Sequence, residues 1–345
     1  MRHFLIGLLS FLLVFPACKG PKTATPIAKE VTPGSYRFAF YNVENLFDLE
    51  DDPQRKDDDF TPKGRNEWTS ERYQKKLNNI AKVLDGMNQP SVVGLCEVEN
   101  EQVLKDLAAT EKLRASEYQS VHFDSPDFRG IDVALLYKKA EMRVLESDYI
   151  RINFPPKIVQ DYTTRDILYV KGLFLGRDTL HFFVNHWPSR RGGLAASEPK
   201  RLYVAQQLRK AVDALTQKQA QAKIIIMGDL NDESNNKSLT RELDVTNDQA
   251  ANKLYDCFTP FDQDNLGSYN YRGNWNMLDH IILSASLRQA EQKIAFQEAY
   301  IYKQSWMMYT DRKYGERPNR TYGGPRYYGG YSDHLPIYID LTVKN

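Results

Sequence analysis

Cysteine is scarce in this chain: Cys18, Cys96 and Cys257 are the only three in 345 residues, and none stand at the short spacing of a thiolate metal site. That excludes a disulfide-stapled scaffold and a cysteine-ligated zinc centre. Cys96 follows the apolar run Val92-Val93-Gly94-Leu95 and is expected to behave as a small buried hydrophobe. Its pairing with Cys257 is left open by spacing alone. Net charge is equally scarce. With 46 Lys+Arg against 45 Asp+Glu the formal charge is +1, so no global field draws the chain to nucleic acid or to a membrane surface. Any affinity for a polyanion has to come from a local patch. Long apolar runs are missing too: the N-terminal stretch Phe4 to Phe15 is shorter than the ~20 residues a spanning helix needs. No repeat of solenoid length is visible.

That N-terminal stretch reads as a targeting segment. Arg2 and His3 form a short polar region ahead of the apolar run, and Phe15-Pro16-Ala17-Cys18 resembles the lipobox of bacterial lipoproteins, with Phe15 where a smaller aliphatic residue is usual. The expectation is a lipoprotein-type signal peptide over 1–17 and lipidation of Cys18. A tether rich in Lys, Glu and Pro then follows over 18–35, without apolar periodicity. The implied location is the cell envelope, anchored to a membrane through Cys18, or secretion.

The rest, 36–345, has the composition of a soluble globular domain, 41% hydrophobic and 26% charged. No further linker divides it, so one domain and a monomer are expected. Tyr36–Val43, Ser91–Cys96, Ile131–Tyr137, Leu168–Leu175, Leu180–Asn185, Lys223–Met227, Met277–Leu283 and Pro336–Val343 read as strands. Tyr73, Leu77, Ile80, Ala81, Leu84 and Met87 recur at helical spacing, as do Leu202, Ala205, Leu208, Val212 and Leu215 in a helix predicted over 198–217. Asp48–Thr69, with its acidic runs, reads as an exposed loop. Strands in hairpin-like pairs with helices between them imply packed sheets flanked by helices, an α/β architecture.

Polar residues gather where these strands end. Six short segments carry them: Asn42-Val43-Glu44-Asn45, Leu95-Cys96-Glu97, Asn185-His186-Trp187-Pro188-Ser189-Arg190, Gly228-Asp229-Leu230-Asn231, Leu278-Asp279-His280 and Ser332-Asp333-His334. Hydrolysis of a phosphoester needs oxygen ligands for a hard cation, a group that activates water, and donors for the phosphoryl oxygens. Asn, Asp, Glu, His and Arg are those groups, and the six segments contain little else that is polar.

In this order the segments resemble the endonuclease/exonuclease/phosphatase superfamily, over about Phe38 to Ile339. The resemblance implies a four-layered α/β sandwich, two mixed β-sheets packed face to face with helices outside and the site at one edge. It implies a dependence on Mg²⁺ or Mn²⁺, with Ca²⁺ as a further candidate. Carried over residue by residue, it assigns Glu97 and Asp333 to metal, with Asn42 beside them and Glu44 as an outer ligand where relatives often have Asp. Asp229 and Asn231 match the pair that orients the attacking water, and Asp279 the carboxylate that bonds the final histidine, His334. His186 sides with the secreted deoxyribonucleases and neutral sphingomyelinases, because apurinic endonucleases have Tyr there. Arg129 and Arg190 are candidate phosphate contacts. The functional expectation is a metal-dependent nuclease acting on DNA or RNA. The alternatives are a phosphatase or phosphodiesterase for inositol, lipid or nucleotide phosphates, and a non-catalytic binding protein on the same scaffold. The Tyr- and Gly-rich stretch Tyr322–Tyr331 is expected either to stack bases or to cover a sheet edge, and Ser305–Tyr309 is a small candidate for membrane insertion.

Overall fold

The computed structural model describes residues 34–248, 253–289 and 292–344, so Cys18 and the expected signal peptide lie outside the described residues. Eight strands, β1 (Ser35–Leu46), β2 (Val92–Val98), β3 (Tyr118–His122), β4 (Asp132–Lys138), β5 (Met142–Ile150), β6 (Ile167–Phe174), β7 (Asp178–His186) and β8 (Lys223–Asp229), supply most of two large sheets. The first sheet is six-stranded, in the order Ile294–Ile301, Ile337–Val343, β1, β2, β4, β3. The second is seven-stranded, in the order β5, β6, β7, β8, Asp279–Leu283, Leu254–Asp256, Val245–Thr246. Both are mixed: β1 pairs parallel to β2 and β7 parallel to β8, while the other neighbours of these strands run antiparallel.

Alternation along β8 shows how the layers form. Ile225 and Met227 face the first sheet and join the main core with Phe38, Phe40, Phe182 and Val184. Ile224 and Ile226 face the other way, into a second cluster with Val204, Ala205, Leu208 and Val212 of helix α3, the third of the three longest helices α1 (Ser70–Gly86), α2 (Glu101–Ala109) and α3 (Leu194–Lys218). A period of two thus gives each central strand two buried faces, one for sheet and one for helix. The sheets approach closely at Gly94, where a β-carbon would stand 2.4 Å from Sδ of Met227. Helix α1 starts at Thr69, whose hydroxyl accepts the Arg72 N–H at 3.4 Å, and α2 at Asn100, whose side chain accepts the Val103 N–H at 3.0 Å. Among the described residues no helix is long and apolar enough to cross a membrane.

Three expectations are refined. Asp48–Thr69 is a largely exposed loop as expected, but it is pinned: Trp68, Asp57 and Asn66 are buried, and the Trp68 indole donates to the Phe47 carbonyl at 3.0 Å. Its polar composition hides one aromatic anchor. Ser305–Tyr309 is not held out for a membrane, since Met307 is buried and the Trp306 ring packs under Lys82 and against Tyr331. The Tyr322–Tyr331 stretch lies on α1, with Lys76 bonding the Tyr331 carbonyl, Asn79 the Gly329 and Gly330 carbonyls, and Arg72 stacked on Tyr327. It covers the fold. Both Cys96 and Cys257 are buried and free.

Candidate active site

The parallel pairs put the ends of β1, β2, β7 and β8 at one edge of the sandwich. Register completes the cluster: Asn42 lies across from Cys96, His186 from Asp229, and Asp229 from Asp279 at the start of its strand. The strands are distorted where the polar groups sit. Glu97 is an extra residue in β2, between Cys96 (opposite Val133) and Val98 (opposite Asp132), with φ of +62°. Glu44 and Asn45 bulge out of β1 with φ of +53° and +55°. Asn231 turns at +52° just after β8. Left-handed backbone at non-glycine residues costs of order 1–3 kcal/mol each and persists only where the surroundings fix it. The bulges carry these side chains out of the sheet pleat to the rim.

A cleft of about 590 Å³ opens at this edge, and Asn42, Glu97, His186, Asp229, Asn231, Asp333 and His334 all line it. Asp229 is its hub. One carboxylate oxygen accepts the Asn42 amide at 3.1 Å and the other the Asn231 backbone N–H at 3.0 Å. Nε2 of His334 lies 3.8 Å and Nε2 of His186 3.7 Å from the same carboxylate. Burial pushes the Asp229 carboxyl up to about 7, against the opposing pull of His334. His334 goes the other way from what burial alone would do. Asp279, bonded to its Nδ1 at 2.7 Å, together with Asp229 outweighs desolvation and raises the imidazole to about 10. His186 is driven well below the usual histidine range by burial and then by the charges of Arg165 and Arg129. One histidine is therefore cationic and the other neutral at pH 7.

Not every expected residue reaches the cleft. Asp279 stands behind His334, with the Ser268 hydroxyl donating to it. Glu44 is buried under the segment that precedes Asp333: its two oxygens accept the Thr321 N–H at 2.6 Å and the Tyr322 N–H at 3.3 Å. Arg129 is held by Asp127 at 3.3 Å and is not among the lining residues. Arg190 lines the cleft, but its guanidinium is engaged with the Asn231 carbonyl at 2.8 Å and Asn236 at 3.1 Å, so it braces Asn231.

Sequence reading missed the residues that support the cluster. Arg165, almost fully buried, donates to the carbonyls of His186 and Trp187 and pairs with Asp127 at 3.0 Å. Ser332 donates to the Asn42 carbonyl at 2.7 Å and so ties the last motif to the first. Tyr269 lies over His334, ring centroids 4.8 Å apart. Arg165 and Tyr269 belong to no motif, and Ser332, though it opens the last one, carried no assigned role. Arg320 also stands outside the six segments, yet it bonds Asp333 at 2.6 Å.

Glu97 gives one oxygen to the Asn45 N–H at 3.0 Å, and its other oxygen stands 3.9 Å from Nε2 of His186 on the cleft wall. Asn42 and Asp333 line the same cleft; with Glu97 they offer oxygens and no thiolate, the donor type that suits a hard divalent cation such as Mg²⁺ or Mn²⁺.

A family profile described as endonuclease/exonuclease/phosphatase family matches residues 37–343. Solved structures share the fold. The mannosyl-6-phosphatase of Bacteroides thetaiotaomicron is 15% identical at a TM-score of 0.55, covering 89% of this chain and 99% of its own. The human nocturnin catalytic domain with bound sulfate is 15% identical at 0.54, covering 90% and 95%. TDP2 of D. rerio complexed with a single-strand DNA product is 16% identical at 0.54, covering 90% and 99%. No curated protein sequence matches. On the profile match across nearly the whole described chain, and with the motif residues gathered at one cleft, this protein belongs to the endonuclease/exonuclease/phosphatase family, whose enzymes hydrolyse phosphoric esters.

Proposed function

We propose that this chain is a divalent-metal-dependent phosphodiesterase that cleaves DNA or RNA by in-line attack of water. The observation that carries the reading is the make-up of the cleft lining, where Arg191, Tyr269 and Tyr271 join the acid–base groups Glu97, His186, Asp229 and His334. Arg191 is exposed and Tyr271 is 52% exposed, a cation for a phosphate backbone beside a ring on which a base can stack.

A divalent cation bound by Glu97, with Asn42 and Asp333 beside it, would neutralise charge on the phosphoryl oxygens. The chain's own groups do the rest. Asp229, fixed by Asn42 and the Asn231 N–H, orients water and takes its proton, which its raised pKa of about 7 allows near neutral pH. His334, kept cationic by Asp279, stabilises negative charge developing at phosphorus. Neutral His186 donates one N–H toward the leaving oxygen. Lipidation of Cys18 would tether the enzyme at the cell envelope, and loss of membrane association in Cys18→Ser tests that part.

The enzymatic test is Mg²⁺- or Mn²⁺-dependent cleavage of supercoiled plasmid, single-stranded DNA and RNA, with wild type beside Glu97→Ala. Cleavage by wild type alone, abolished by EDTA, is the expected result. Failure on every polymer would reject the nuclease and turn the search to inositol, lipid, sugar and nucleotide phosphates. Ligand binding unaffected by EDTA, with no turnover of any phosphoester, would favour a non-catalytic binding protein.

A further inference from the structure

Three exposed tyrosines stand on or beside short hairpins near the cleft, and each carries a guanidinium over its ring. Tyr271 is 52% exposed with Arg272 5.1 Å from its ring centre, Tyr309 43% with Arg317 at 5.5 Å, and Tyr328 38% with Arg326 at 5.1 Å. Contacts join them into one row. Tyr271, on the cleft lining, belongs to a hairpin that pairs Tyr269–Tyr271 with Asn274–Asn276 and turns at Arg272 and Gly273, with φ of +52° and +93°. Gly273 sits against a second hairpin, Met308–Asp311 paired with Gly315–Pro318: a β-carbon at Gly273 would stand 3.3 Å from the Tyr314 carbonyl in its turn. Tyr309 and Arg317 are cross-strand partners in that second hairpin, and the Tyr309 ring lies 6.4 Å from the ring of Tyr328. Tyr328 follows a third hairpin, Tyr322–Gly323 with Arg326–Tyr327.

The row is a firm platform. Its first hairpin is tied to the site by a β-bridge between Tyr269 and His334 and by the Leu335 N–H on the Ser268 carbonyl at 2.7 Å. Its far end is held on α1 by the Asn79 amide at the Gly329 and Gly330 carbonyls. Rings fixed in advance lose little freedom when a ligand settles on them. Charge along the row is one-sided in a chain that is balanced overall: Arg272, Arg312, Lys313, Arg317 and Arg326 outnumber Asp311 and Glu316, and those two acids are taken up by Arg317 and Lys303. We infer that this row is a docking track for single-stranded nucleic acid outside the cleft, which it enters past Tyr271. Ring faces stack on bases and guanidinium groups meet phosphates, and only a single strand offers its bases unpaired. The inference rests on the nuclease reading and deepens it, by naming the form of the substrate and where the rest of the strand lies.

The test is fluorescence anisotropy of a labelled oligothymidylate of about 20 nucleotides, with EDTA present and the salt concentration varied. Tyr309→Ala with Tyr328→Ala should weaken binding by about tenfold or more, whereas Tyr309→Phe with Tyr328→Phe, which keeps both rings, should bind like wild type. Arg317→Gln with Arg326→Gln should flatten the slope of log affinity against log salt by about 1 to 2. Tyr149 and Arg151 form an exposed pair of the same kind at β5, an edge of the second sheet, so Tyr149→Ala with Arg151→Gln is the matched control and should change nothing. Three results would overturn the track: unchanged binding in both the alanine and the glutamine variants with circular dichroism unchanged, an equal loss in the control, or tighter binding of a duplex of the same length. Cleavage of nucleic acid by wild type alongside any of these leaves the nuclease reading standing. Neither binding nor cleavage of any strand by wild type would reject that reading and the track together.

Discussion

Two histidine–aspartate pairs are built on consecutive residues of one strand, and they do different things. Asp279 and His280 open the strand Asp279–Leu283 and point to opposite faces. Asp279 bonds Nδ1 of His334 at 2.7 Å on the cleft side. His280 bonds Asp256 at 2.8 Å on the other side, and its second ring nitrogen is taken by the Asp232 carbonyl at 2.9 Å. Both imidazoles are raised, His334 to about 10 and His280 to about 9, each by its neighbouring aspartates against the cost of burial. A displaced pKa therefore does not single out the reactive pair. Access does: His334 lines the cleft with Nε2 turned toward Asp229, whereas His280 has no exposed surface and no free ring nitrogen.

The contrast can be broken from either side. The largest effect is expected for His334→Gln, which should lower kcat/KM on the best phosphoester substrate by about 10²–10³-fold, since it removes the cation that stabilises charge at phosphorus. A loss under tenfold would remove His334 from the chemistry. His280→Ala should act on the fold instead. It strands buried Asp256 without its partner, at a cost of about 3–5 kcal/mol by urea denaturation, with kcat unchanged in the folded protein.

The sealed pair also sets a pH window. His280 has a folded pKa of about 9, above its ordinary value of about 6.5, so the pair stabilises fully below pH ~6.5 and loses that contribution as pH rises through about 9. The stability gap between wild type and His280→Gln should narrow by up to about 3 kcal/mol over that range. Taking the difference cancels the titration of His334, which both proteins share. A gap independent of pH would show that His280 is not held as a cation. The smallest effect is expected for Asp279→Asn. It leaves the hydrogen bond but removes the charge behind His334, and should lower kcat by about 10–100-fold with KM little changed. Equal changes in both constants would point to a distorted cleft instead.

Much of the fold is legible in the chain, and what escapes notice shares a cause. β1, β2, β4, β6, β7 and β8 are central or near-central strands with dense apolar sequence, and each lies close to its expected bounds. The longer strands that were missed, β3, β5 and Ile294–Ile301, are all sheet edges, and Leu254–Asp256, missed inside the second sheet, is only three residues long. β5 is mostly exposed along Arg143–Tyr149, so it lacks the alternation that burial imposes. Helix α2 is short, and only Val103, Leu104 and Leu107 are buried in it. At the site, the motif residues could be found because strand ends bring them together in chain order. Arg165, Ser268 and Arg320 could not, since none stands in a motif and each meets its partner only once the chain is folded.

The sequence by itself determined the local structure and the chemical inventory: where strands alternate, where α1 and α3 repeat at helical spacing, and which carboxylates, amides and histidines are on hand. These are legible because periodicity and short motifs act between near neighbours. The tertiary structure decided which histidine–aspartate pair is open and which is sealed. It also decided that Glu44 is spent on backbone amides and on Arg320, a partner 276 residues away. Such choices depend on how two sheets and a late loop close on each other, and no local pattern in the chain encodes a contact made across that distance.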